Sequence, residues 1–166
     1  MINREQANQV DTNATPLILP SISEHQALWE KIQQFDLSVV TDTLARREPK
    51  YADSAEALEA ECRRFLFMAA IVPELEHAPT KPIDDYWHQF ILFTRMYKDF
   101  CKDIIGRFVH HKPLGADDHQ AVFDRTQGTV VRLFGDFPNK SLWMMPAPAT
   151  SCCSAIDNDM PRAIAA

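Results

Sequence analysis

Glycine is scarce in this chain, with four in 166 residues. That leaves little room for a phosphate-cradling loop, which needs several glycines close together. The four cysteines, at 62, 101, 152 and 153, form no CxxC pair and show no zinc-finger spacing. No GxSxG elbow and no HExxH pair occurs, so the commonest nucleophile and zinc-protease signatures are absent. Positive charge is in deficit: 17 Lys and Arg stand against 23 Asp and Glu, a formal charge of −6. That balance argues against a phosphate-tracking surface and so against a nucleic-acid partner. The short pairs Arg46-Arg47 and Arg63-Arg64 read as solvated helix faces. The longest apolar run, Phe65 to Val72, has eight residues, far fewer than the ~20 that span a bilayer. Met1 to Val10 lacks the apolar stretch of a secretory signal. The expectation is a cytoplasmic protein with reduced thiols and no membrane partner.

What is present is enough apolar material for one core. Apolar residues make up 46% of the chain, and a domain of this size buries roughly 70% of its unfolded surface. Ser23 is placed to cap a helix carrying Leu28, Trp29, Ile32 and Phe35 on one face. Leu37, Val40 and Leu44 continue the pattern to Pro49. Leu58, Cys62, Phe65, Leu66 and Ala69 form the stripe of a helix that starts at Asp53 or Ser54 and is stopped by Pro73. A long central helix is expected from about Ile83 to Ile105, with Pro82 in its first turn and Gly106 as its stop. A further helix over 116–134 carries Val122, Phe123, Val130 and Leu133, and residues 139–145 suit one short turn. No period-2 strand is visible. The fold class is therefore all-α, a compact bundle of about four to five helices spanning 23–145. Residues 1–22 read as a flexible arm, and 146–166, rich in Ala, Pro, Ser and Thr, as a disordered tail.

One segment is chemically denser than a core helix requires. Asp84 and His88 are four residues apart and Asp85 and His88 three, so either carboxylate can reach the imidazole on one helix face. A carboxylate on one ring nitrogen fixes the tautomer and raises the basicity of the other, as in many metal-bound histidines. The same contact also satisfies a purely structural histidine. On a straight helix, Cys101 lies thirteen residues beyond His88, roughly 19 Å at 1.5 Å per residue. It is then excluded from a shared mononuclear site and reads as core, with Trp87, Phe90, Thr94 and Tyr97. His110 and His111 follow the glycine stop closely enough to double back over the last helical turns. The ~17 Å reach of five extended residues hardly returns them to His88. Further donors are then sought on the first or second helix, or at His25, His77 or His119. The candidate metal ligands are His88, His110 and His111, oriented by Asp84 and Asp85, with zinc, iron or copper as the candidate ion. Cys152-Cys153 is a vicinal pair suited to a soft metal or to mixed disulfides, or without a role.

The run Asp84-Asp85-Tyr86-Trp87-His88-Gln89-Phe90-Ile91-Leu92, with Thr94, Tyr97, Phe100-Cys101, Gly106, Phe108 and His110-His111, resembles the glycine-rich-domain-like family. That family comprises plant glycine-rich domain proteins and short bacterial relatives, and the likeness covers roughly residues 60–114. It implies a small helical domain without an established reaction. Many members carry a second histidine two residues after the Trp-His pair, where this chain has Phe90. The departure removes a donor from the opposite helix side. Two functions follow as expectations. One is a non-enzymatic accessory domain, possible metal binder and partner of another protein. The other is a small metal-dependent enzyme using His88 held by Asp84 or Asp85.

Overall fold

A computed structural model of the chain describes residues 19–113, 116–144 and 153–156. Its helices are α1 (Gln26–Gln34), α2 (Ser38–Arg47), α3 (Ala55–Ile71), α4 (Lys81–Leu92), α5 (Thr94–Asp99), α6 (Ala116–Phe134) and α7 (Lys140–Trp143). Two short strands, β1 (His110–Pro113) and β2 (Cys153–Ile156), pair antiparallel, so the fold is a compact helical one with almost no sheet. Most of the N-terminal arm and of the C-terminal tail lies outside the described residues. Within the tail expected to be disordered, β2 is an ordered strand. Its Ala-Ile step carries no alternation that would announce one.

The cap of the first turn is Ser21, not Ser23: its hydroxyl accepts from the Glu24 amide, and the Glu24 carboxylate accepts from the Ser21 amide at 2.7 Å. This reciprocal pair is a capping box, and it needs the acid three residues on, which Ser21 has.

Helix α3 occupies the centre. Phe65, Leu66, Phe67 and Met68 are consecutive and all fully buried, so the helix is covered on every side. Arg63, read from sequence as solvated, is buried as well. It donates to the Ile32 and Phe35 carbonyls at the end of α1 and pairs with Glu59. The orphan carbonyls of a helix end suit a guanidinium, which here fastens α1 across α3. At the far side the indole N–H of buried Trp143 donates to Glu61 at 2.7 Å, which locks α7 onto α3.

The central helix is not one rod. It breaks at Phe93, whose ψ of 62° leaves the helical region, and resumes as α5 before a wider π-helical turn over Phe100–Ile105. No proline or glycine causes this. On a straight helix seven residues advance about 10 Å, yet the Phe90 and Tyr97 rings are 5.1 Å apart and edge to face. Phe90 also packs edge-on against Phe100 at 5.3 Å, and Phe35 against Phe100 at 5.0 Å. The break folds the second half back so that these rings share one core. It also leaves Thr94, expected inward, exposed. Gly106 does end the helical stretch, at φ 88°, the left-handed conformation for which glycine has no steric cost.

Candidate metal centre

The folded-back segment assembles a polar cluster through a relay of buried groups. The Trp87 indole N–H donates to the Tyr97 hydroxyl at 3.1 Å, and that hydroxyl donates to the Val109 carbonyl at 2.6 Å. Arg107 donates to the Ala69 and Ala70 carbonyls at 2.8 and 2.9 Å, pinning the turn after Gly106 to the end of α3. Two residues beyond Val109, the His111 ring therefore lies against Trp87, 4.4 Å between centroids, and against His88 at 4.2 Å. The straight-rod argument, which kept the His-His pair away from His88, is overturned by the break at Phe93.

Asp84 stands between the two imidazoles. Its carboxylate is 1% exposed. His88 Nδ1 is 3.4 Å from Asp84 Oδ2, and His111 Nε2 is 3.2 Å from Asp84 Oδ1. One ligand atom from each of Asp84, His88 and His111 can be chosen so that all lie within 4.8 Å of one another. Helix α4 supplies the first two from consecutive turns of one face, and β1 supplies the third. The additional donor thus comes from the strand rather than from the first or second helix. His88 is the accessible member, with 46% of its side chain exposed against 14% for His111. Burial pushes the His88 pKa below the ordinary imidazole value; Asp84 works against that, and the neighbouring His111 adds to it.

The other expected residues lie elsewhere. His110 points to the opposite side of β1 and packs on Phe108 at 4.9 Å. Asp85 is bonded to other groups: Tyr51 donates to it at 2.7 Å, Lys81 pairs with it, and Lys50 is 3.7 Å away. Burial opposes its ionisation, but the bonds from Lys81 and Tyr51 outweigh that and hold its carboxyl below the usual range. Cys101 is fully buried and outside the cluster, and burial raises its thiol pKa. His77 is buried with Nε2 on the Val72 carbonyl at 3.0 Å. The side chains of His119 and of both tail cysteines lie outside the described residues. Trp87 and Tyr97, which place His111, have no local sequence signal for that role.

His88 also lines a polar cleft of about 310 Å³ with Arg47, Lys50, Lys81, Asp85 and Gln89. Among the described residues no helix is long and apolar enough to cross a membrane.

Comparison with curated proteins and with solved structures gives no match. The family comparison gives one: the UCP032817-like pattern covers residues 28–132, more than half of the chain. It spans α2 to α5 and β1 entire, and with them all three residues of the cluster. The resemblance to glycine-rich-domain proteins, drawn from the Trp-His segment, is corrected by this match. The chain belongs to the UCP032817-like family.

Proposed function

We propose that this protein is a metal-binding helical domain in which Asp84, His88 and His111 hold one divalent transition-metal ion. The observation that carries the reading is the Asp84 carboxylate. It is almost fully buried, and among the described residues it pairs with two imidazoles and with no Lys or Arg. A buried carboxylate without a full cationic partner is costly, and a metal ion would supply that partner. Two donors on one tetrahedral ion at ~2.0–2.2 Å stand about 3.4 Å apart; here His88 Nδ1 is 3.4 Å from Asp84 Oδ2, His111 Nε2 is 3.2 Å from Asp84 Oδ1, and one donor from each residue falls within a 4.8 Å spread. Two imidazoles and a carboxylate suit zinc, iron or divalent copper. A His88 pKa held down by burial keeps its nitrogen lone pair available at neutral pH.

The accessory role, beside a protein partner, is the reading we keep for the domain as a whole, since no catalytic motif accompanies the cluster. A cytoplasmic setting is supported by Cys62 and Cys101, both buried free thiols. A second reading, a small metal-dependent enzyme, is favoured by one feature. His88 is half exposed and lines the cleft with Arg47, Lys50 and Lys81. A metal there would act as a Lewis acid on bound water or substrate oxygen.

Calorimetric titration of tag-free protein with Zn²⁺, and anaerobically with Fe²⁺, tests the site. One ion per chain is expected. Asp84→Asn, His88→Ala and His111→Ala should each weaken binding by more than the ~10–100-fold typical of losing an outer partner. His110→Ala should leave it unchanged. Full binding in His111→Ala, or none in the wild type, would refute the assignment.

A further inference from the structure

One arm of the cluster is held by a segment that returns from the far end of the chain. Strand β1 pairs with β2 in a register that sets His111 opposite Ala155, His110 opposite Ile156 and Lys112 opposite Ser154. Helices α6 and α7 intervene between the two strands in sequence. Among the described residues β2 is the only strand partner of β1, and β2 also packs against α3. Among the described residues β1 is also held by the Tyr97 hydroxyl on neighbouring Val109, by Lys112 beside Glu76 at 3.6 Å, by His111 Nε2 3.2 Å from Asp84, and by the ring contacts of His110 and His111. A two-stranded ribbon is only marginally stable in water. Its pairing is therefore sensitive to anything that fixes or loosens one strand.

Resting on the metal site proposed above, we infer that ion binding and docking of the C-terminal strand are coupled through His111. An ion that ties His111 to Asp84 and His88 orders β1 as a template for β2. Loss of the ion loosens β1 and weakens its pairing with β2. The coupling is reciprocal by thermodynamic necessity, so a docked β2 raises affinity for the ion by the factor by which the ion favours docking. Couplings of this kind are typically ~5–150-fold. Strand β2 then reports occupancy of the site: its pairing with β1 is stronger when an ion is held than when it is not.

Amide hydrogen exchange on the full chain, with and without Zn²⁺, measures the docking directly. Zinc should slow exchange at Ser154, Ala155 and Ile156 by about 5–150-fold in the wild type, and should not do so in His111→Ala. In the reverse direction, Ser154→Pro and Ala155→Pro are made separately in the full chain. Amides alternate in facing the partner strand, so one of the two removes a ladder donor. That variant should bind zinc more weakly by the same factor, with unchanged far-UV circular dichroism. A Cys152→Ser/Cys153→Ser chain should keep the coupling. Its loss there would mean that the thiols bind zinc themselves, which overturns the inference. If the wild type binds no zinc, the site reading falls and this inference with it. If it binds one ion while β2 exchange and both proline variants are unaffected, only the coupling is refuted.

Discussion

At the scale of single residues, the histidines show how one side chain is put to different uses by its surroundings. His77 is enclosed, its Nε2 on the Val72 carbonyl and its Nδ1 without a hydrogen-bond partner among the described residues. Burial lowers its pKa from 6.5 to about 4, so the folded protein keeps it neutral where an unfolded chain would protonate it. The unfolded state therefore binds more protons in this interval, and stability falls as pH drops from 6.5 toward about 4. At 1.36 kcal/mol per pH unit, roughly 2 kcal/mol is lost by pH 5 through this residue. His88, also lowered, adds to the same slope. Urea unfolding of the metal-free protein between pH 5 and 7.5 should show His77→Gln losing much less stability on acidification than the wild type. Equal slopes would mean that His77 is not the buried neutral group described here.

At the scale of elements, the break at Phe93 decides where the site can form. The relay Trp87–Tyr97–Val109 exists only because α5 folds back on α4. Tyr97→Phe keeps the ring stacking but removes the hydroxyl, leaving a buried indole N–H and a buried carbonyl unmatched. Each such group costs ~1–3 kcal/mol, so thermal unfolding should show a loss of a few kcal/mol. Metal affinity should fall too, because β1 is less firmly placed. A Tyr97→Phe protein as stable as wild type would show that the relay is geometric coincidence. This break also marks the limit of what the sequence discloses. Gly106, Pro82 and the stripes of α2 and α3 act locally, through backbone freedom and 3.6-residue spacing, and their positions follow from the sequence. The break has no local cause. It comes from Phe35, Phe90, Tyr97 and Phe100 competing for one core, and three of these ring contacts span ten or more residues. Asp84 and His88 were legible as neighbours on one helix face for the same local reason. His111 was legible as a donor but not as their partner, and Asp85, equally well spaced, is drawn away by Tyr51 and Lys81.

At the scale of the whole molecule, α3 is the axis on which the parts converge. Arg63 holds α1 to it, Glu61 holds α7, and Arg107 ties the turn before β1 to its last carbonyls. The Asp84–His88–His111 cluster sits where α4 and β1 meet beside this axis, with Asp84 inside and His88 at the surface. Elemental analysis of protein purified without a histidine tag tests this arrangement most directly, with Asp84→Asn purified in parallel. The account predicts close to one transition-metal ion per chain in the wild type and almost none in Asp84→Asn, while both retain the same helical circular dichroism. Metal-free wild type that stays metal-free after incubation with zinc or iron, or equal metal content in the two proteins, would contradict it.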